Sequence, residues 1–207
     1  MMSLLDRPYV IMGASGHGAV IADILFKCGC AVRGFLDDGV AVGTKVLGVE
    51  VLGGIGECAR YSDCLFIIGI GDNYTRKKIA LAYSVEYGVA VHPSSVIGHD
   101  VEIGCGSVLM AGSIVNPGSV IGEHCIINTG ACLDHDNRVG DFVHVSPGAV
   151  LGGIVSVGNC SHVGIGSCIK NVTTVCDDVV IGAGAVVVKD ITEPGVYYGV
   201  PAKRAPF

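Results

Sequence analysis

Residues 133–156 read Leu133-Asp134-His135-Asp136-Asn137-Arg138, Val139-Gly140-Asp141-Phe142-Val143-His144, Val145-Ser146-Pro147-Gly148-Ala149-Val150, Leu151-Gly152-Gly153-Ile154-Val155-Ser156. Cut into sixes, every unit opens on Leu or Val. The register extends in both directions without an insertion, from Val91 to the unit that opens on Val187, and every first position is Ile, Leu or Val. The fifth position is Ser, Ala, Thr, Cys, Val or Ile throughout, with Asn137 as the exception. A fixed period held this long marks a repeat architecture, and it decides the fold before any other feature is read. Each unit is expected to be one short flat strand plus a turn. The aliphatic first residue points inward, and the small fifth residue is expected to fit a tight corner. Three units make one triangular coil of 18 residues, so residues 18 apart stack at about 4.8 Å. No coil buries its core alone, but a stack does.

Composition narrows the function classes. The 207 residues carry a formal net charge of −6, 32 glycines and no Trp. Acidity argues against nucleic acid and anionic membrane surfaces as partners. No uninterrupted apolar run is long enough to span a bilayer, and the N-terminus lacks the basic-then-apolar layout of a secretory signal. The ten cysteines fall at different hexad positions and form no paired ladder. They read as reduced, structural thiols of a cytoplasmic protein.

Residues 1–90 follow different rules from residues 91–207. Tyr9-Val10-Ile11-Met12 predicts a strand, Gly13-Ala14-Ser15-Gly16-His17-Gly18 a glycine loop, and Ala19 to Leu25 a helix. Strand, glycine loop and helix N-terminus form a phosphate-cradling layout, although the glycine order is not that of the dinucleotide fingerprint. Arg33 to Leu36 predicts a second strand ending at Asp37-Asp38, where an acid meets ribose hydroxyls in such folds. Cys64 to Ile68 predicts a third strand, running into Gly69-Ile70-Gly71-Asp72-Asn73, and a helix follows from about Tyr74 to Tyr87. The expectation is a small parallel sheet with a ligand edge. The bland alternative is a cap on the repeat.

Among seven histidines, His135 stands apart. Its hexad is the most polar in the repeat, and the same hexad breaks the small-residue rule at Asn137. Local rules fail where function outranks packing. Asp134 and Asp136 flank the imidazole, and a neighbouring acid raises the basicity a general base needs. Register places Gly153 one coil above His135, where its backbone N–H would meet an oxyanion. His144 and His162 share the sixth position and are expected to stack on one edge. His99 and His124 are expected at the surface, and His92 at the junction.

Together these stretches resemble the hexapeptide-repeat sugar acetyltransferases with a small Rossmann-like front domain. The likeness runs from YVIMGASGHGAVIADIL, through GFLDD and IGIGDNYTRKKI, to IINTGACLDHDNRVGDFVHVSPGAVLGG and YYGVPAKR. It is nearest to UDP-4-amino-sugar N-acetyltransferases of bacillosamine-type glycan synthesis, with GDP-perosamine N-acetyltransferases and sialic acid O-acetyltransferases as relatives. The resemblance implies a left-handed parallel β-helix and a homotrimer with acetyl-CoA in a cleft between neighbouring prisms. It makes His135 and Asp136 the catalytic pair; several relatives have Glu where this chain has Asp136. It puts His144 near the acetyl group; the edge on which His162 stacks with it is a ligand wall or polar surface, and His162 is expected with His144 on the acetyl-CoA side. Gly13, Ser15 and His17 correspond to the nucleotide-sugar site, Asp37, Asp38, Gly71 and Asn73 to the edge holding base and ribose, and Lys203 and Arg204 to the CoA nucleotide end. No resident metal is implied.

The chemistry so implied is direct acetyl transfer to the 4-amino group of a nucleotide-linked amino sugar. O-acetylation of sialic acid or a related sugar is the alternative. A zinc lyase using His135, His144 and His162 leaves the front domain without a purpose, and a non-catalytic scaffold makes the polar hexad an accident.

Overall fold

The computed structural model describes residues 7–206. The chain divides between Pro93 and Ser94 into two compact units. Ala90–Val91 stays with the front unit, where it packs against the first helix and where the Cys28 thiol donates to the Val91 carbonyl at 3.1 Å.

The front unit is built on five strands: β1 (Tyr9–Met12), β2 (Val32–Leu36), β3 (Lys45–Val46), β4 (Val49–Gly53) and β5 (Leu65–Ile68). Their order is β3-β4-β2-β1-β5. The β4, β2, β1 and β5 strands run parallel, and β3 adds an antiparallel hairpin edge. Helices α1 (Gly16–Lys27) and α2 (Asn73–Ala82) cover the sheet. A parallel sheet covered on both faces needs apolar residues on both faces. Accordingly Val10, Ile11, Met12, Phe66, Ile67 and Ile68 are all at most 1% exposed. Because the strands are parallel, their carboxyl ends bring the Gly13 loop, Asp37-Asp38 and the Gly69–Asp72 loop to one edge.

Two local details differ from the sequence expectation. Helix α2 stops at Ala82 rather than near Tyr87, because Glu86 to Gly88 pairs along β5. The Phe66 N–H donates to the Glu86 carbonyl at 2.9 Å, and the Gly88 N–H to Phe66 at 3.0 Å. The β3–β4 hairpin and the 3₁₀ helix Ile55–Tyr61 were not expected at all.

The second unit is a left-handed parallel β-helix with three faces. Each hexad contributes a two- or three-residue strand from its sixth and first positions. One face runs from Val96–Ile97 to Val186–Val187, a second from Glu102–Ile103 to Thr174–Val175. The third runs from Val108–Leu109 to Val179–Ile181 and continues into Gly195–Tyr198 and Lys203–Arg204. Every coil pairs with the next in the expected register: Ile114 lies opposite both Val96 and Cys132. From Leu109 to Val187 each first-position residue is at most 3% exposed.

The fifth position is not the corner residue the period suggested; it is interior. Ser107, Ser113, Ser119, Asn137, Ser161 and Ser167 are at most 1% exposed. The backbone explains the choice. The fifth-position N–H lies just before the strand and is met in two ways: at glycine corners by the carbonyl three residues back, as Ser113 to Met110 at 3.1 Å, and at several other corners by the fifth-position side chain of the preceding coil. The Cys125 N–H donates to Ser107 Oγ at 2.8 Å, Asn137 to Ser119 at 3.1 Å, and Val179 to Ser161 at 3.1 Å. Asn137 does the same job with an amide. Its Oδ1 accepts from the Val155 N–H at 3.0 Å, and its Nδ2 donates to the Asp134 carbonyl. Replacing Asn137 by Ala orphans a buried donor and is expected to cost about 2 kcal/mol. Asn137→Ser, which restores an acceptor, should recover part of that in urea denaturation. Equal midpoints for wild type and Asn137→Ala would refute the ladder.

The corner itself is made at the fourth position. From Asp100 to Gly184 every fourth-position residue is left-handed, and seven of these are glycines. An L-residue pays about 1–2 kcal/mol for that conformation, which Asp, Asn and Gly tolerate best. Ile154 (φ 60°) and Val172 (φ 54°) are β-branched and still adopt it.

Candidate active site

His135 and Asp136 occupy the third and fourth positions of one corner. The left-handed turn at Asp136 (φ 58°) is pinned by its N–H, which donates to the Pro117 carbonyl at 3.0 Å. That turn aims the carboxylate back at the preceding ring: His135 Nδ1 lies 2.8 Å from Asp136 Oδ2. On the other side Asp134 Oδ1 accepts the His135 backbone N–H at 2.8 Å and Asn116 Nδ2 at 3.2 Å. Asp134 therefore fixes the turn while Asp136 fixes the ring. The Asp136 hydrogen bond, and then the Asp134 charge, raise the imidazole pKa above its ordinary value. The His135 backbone N–H, with Asn116 second, holds the Asp134 carboxyl below its ordinary value.

With Nδ1 bound to Asp136, the far side of the ring lies over Gly153. A methyl group on Gly153 would sit 2.6 Å from His135 Nε2. The ring can occupy this position only because residue 153 has no side chain. The Gly153 N–H makes no hydrogen bond among the described residues. Both residues line a cleft of about 410 Å³ with Asp134, Gly152, Ile154, Lys170 and Val172. Lys170 and Val172 were missed by sequence reasoning. Stacking Asp134, Gly152 and Lys170 at intervals of 18 would have found the lysine.

His144 and His162 stack as expected, with ring centroids 4.7 Å apart. His144 Nε2 is 3.0 Å from Asn128 Nδ2, and His162 Nε2 is 2.8 Å from Ser146 Oγ. They stand on the third face, however, and do not line the His135 cleft. The three histidines proposed for a zinc lyase are thus split between a corner and a face. The Cys, His and carboxylate ligand atoms that do gather, among the described residues, belong to Cys105, Glu123 and His124 on another corner. His124 is not at the surface: it is 3% exposed and stacks on Phe142 at 5.1 Å. Arg204 is engaged in place, with Nη1 2.6 Å from Glu193 Oε2 and Nη2 donating to Pro194 O at 2.8 Å. Lys203 is exposed beside it in a separate cleft of about 390 Å³.

In the front unit the strand-end edge carries a cleft of about 430 Å³, lined by Asp37, Asp38, Thr75, Lys78 and Tyr83 among others. Asp37 does more than line it. Its Oδ2 accepts from the Ala14 N–H at 2.7 Å, and its Oδ1 accepts from Gly39 and Val40 at 2.8 and 3.0 Å. It ties the glycine loop to the following turn. Asp38 Oδ1 accepts from Ile55 at 2.8 Å and starts the 3₁₀ helix. Gly13, Ser15, His17, Gly71 and Asn73 do not line this cleft. Asn73 is turned inward, 5% exposed, accepting from Arg76 Nη2 at 2.8 Å. Arg76, itself 1% exposed, also donates to the Ile70 and Gly71 carbonyls at 3.1 Å and shapes the whole loop. His17 borders this group. Burial, then the Arg76 charge, push its pKa down to about 4, so its ring is neutral at physiological pH. Gly18 lets α1 dock: a methyl there would lie 2.0 Å from the Gly13 carbonyl oxygen.

Known proteins resemble this chain in sequence and in fold. Residues 9–82 match the PglD N-terminal domain family. The acetyltransferase domain of PglB from Neisseria gonorrhoeae FA1090 is 36% identical with a TM-score of 0.91, over 96% of this chain and 100% of that one. A second structure of that domain is a complex with acetyl coenzyme A. PerB from Caulobacter crescentus, in complex with CoA and GDP-perosamine, is 37% identical with a TM-score of 0.90, over 99% of this chain and 100% of that one. Uncharacterized protein L142 of Acanthamoeba polyphaga mimivirus is 33% identical over 115 residues, which is 55% of this chain and 23% of that protein. The chain thus spans about a quarter of the length of that curated relative. No helix among the described residues is long and apolar enough to cross a membrane.

Proposed function

The chain belongs to the sugar acetyltransferases, and from that premise we propose that it moves an acetyl group from acetyl-CoA to the 4-amino group of a nucleotide-linked amino sugar. The observation that carries this reading is the His135–Asp136 pair facing Gly153 in one cleft. With its Nδ1–H donated to Asp136, the imidazole presents an acceptor Nε2. As the amine attacks the thioester carbonyl, a C–N bond forms and Nε2 takes the amine proton. The oxyanion so generated is met by the Gly153 N–H. Collapse breaks the C–S bond, and the thiolate leaves to be protonated by the His135 imidazolium. No covalent enzyme intermediate is required.

Acceptor binding is assigned to the front unit, with Asp37 and Lys78 at the cleft and neutral His17 beside the glycine loop. PglB and PerB relatives bind acetyl coenzyme A or CoA, and PerB binds GDP-perosamine. These support the two substrate classes. The working assembly is read as a homotrimer, because His135 lies on a corner, 53% of its side chain exposed, and a water-excluding site needs a second wall. On this reading His144 and His162 of a neighbouring copy supply that wall. Ten free thiols suit a reducing cytoplasm.

The reading is tested by thiol release from acetyl-CoA with UDP- and GDP-linked 4-amino-4,6-dideoxy sugars, with free sialic acid alongside. Activity on sialic acid alone would make the enzyme an O-acetyltransferase; silence with every acceptor would refute acetyl transfer. A pH profile adds a second check. His135 must be neutral to accept a proton, and Asp136 raises its pKa, so the acid limb of kcat/KM lies above the ordinary histidine value. Asp136→Asn should lower the plateau rate and move that limb to lower pH. A limb that stays in place would detach Asp136 from His135.

A further inference from the structure

We propose that Ile154 and Val172 form an apolar wall for the acyl–thioester arm of the donor. This rests on the acetyl-CoA reading above. The two residues follow Asp136 in one corner column, at intervals of 18, all three left-handed. Elsewhere in the β-helix the apolar residues at left-handed corners are compensated by packing. Phe142 is 9% exposed and stacked on His124, and Cys160 is 4% exposed. Ile154 and Val172 are 52% and 66% exposed. They are the β-branched residues among the left-handed positions described, and, half exposed or more, they lack the burial that accompanies that conformation at Phe142 and Cys160. Strain that persists without local compensation points to a function at that place.

The place is the His135 cleft, which both side chains line together with Val150. Coil spacing puts Ile154 about 5 Å and Val172 about 10 Å along the prism from Asp136. A thioester with its carbonyl at His135 carries a methyl on one side and an S–CH2–CH2 stem on the other. That length of alkane matches an aliphatic strip rising from the base. A nucleotide sugar, even one with a 6-deoxy methyl, offers such a strip far less alkane. The wall therefore favours the donor, and Asn, which suits the left-handed corner better, would serve the backbone and fail the ligand.

The test uses Ile154→Asn and Val172→Asn in the full chain, read by thermal denaturation, calorimetry with CoA, and initial rates with each substrate varied. Each variant should melt a few degrees higher, about 2–4 °C, as backbone strain is relieved. Each should also raise the CoA Kd and the acetyl-CoA KM about tenfold, the worth of one buried aliphatic side chain, with the acceptor KM unmoved. Unchanged donor affinity overturns the proposal. So does a rise confined to the acceptor KM, or a fall in oligomeric state that reveals a subunit contact instead. Failure of the wild-type chain to bind CoA or release thiol would instead overturn the acetyl-CoA reading itself.

Discussion

His135→Ala is expected to lower thiol release from acetyl-CoA by about 10²–10⁴-fold, the usual contribution of a positioned general base. The substitution should leave the protein folded. The His135 side chain is half exposed, and its ring meets Asp136 on one side and the bare Gly153 backbone on the other. The turn is held by other groups, since the His135 backbone N–H still reaches Asp134 and the Ile154 N–H still reaches the His135 carbonyl at 2.9 Å. The melting temperature should therefore stay close to that of wild type. Because the proton moves only in the transition state, kcat should carry the loss rather than either KM. The acid limb of the pH profile should vanish with the imidazole. A variant turning over at the wild-type rate would remove His135 from the chemistry.

The β-helix was legible because its cause is periodic. A six-residue repeat with an aliphatic first position leaves one way to bury Leu109, Ile127, Val145 and Val163 in a single ladder. The fifth position was legible as small but not as interior. At Ser107, Ser119, Asn137 and Ser161 the side chain accepts an N–H one coil away, and that partner is invisible until residues are stacked at 18. Asn137 shows the consequence. Read in sequence, it is a break in the pattern and points to function. In the fold it is a buried acceptor for Val155, like the serines in its position. The anomaly still led to the right hexad, since Asn137 also ties the Asp134 carbonyl beside His135.

The front unit was legible in its strands and loops and much less so in its side chains. Asp37 was expected at the ligand edge and stands there, yet three backbone N–H groups already hold its carboxylate. Asn73 was expected to face a ligand and faces Arg76. A charged residue inside a ten-residue helix gives no sequence signal that it is 1% exposed. Burial of the arginine depends on the Ile70 and Gly71 carbonyls of the loop and the Asn73 amide at the start of its own helix converging on it, which is a tertiary fact. Lys78 and Thr75 lie on the same helix and reach the cleft because α2 begins at Asn73, just after the Asp72 cap. Likewise Arg204 was expected to meet phosphates, and its partner Glu193 lies eleven residues back, on the far side of the Gly195–Tyr198 strand.

Gly153→Ala should be nearly as damaging to catalysis as loss of the base, through a different route. Residue 153 is not among the left-handed positions, so an alanine backbone fits without strain. Its N–H also remains in place, so any oxyanion contact is conserved. What changes is the space: the new methyl would lie 2.6 Å from His135 Nε2 and 2.8 Å from Cε1. Neither distance is tolerable, and the side chain that yields is the exposed imidazole rather than the stacked backbone. A displacement of about 1 Å at a reacting group costs on the order of 10²-fold in rate. A double-mutant cycle separates crowding of the ring from any other effect of the methyl. If Gly153 acts by giving the ring room, Gly153→Ala in the His135→Ala background has no ring left to move. It should then slow the residual reaction no further. If its loss repeats in full without the imidazole, the methyl acts on something other than the ring and this steric account fails.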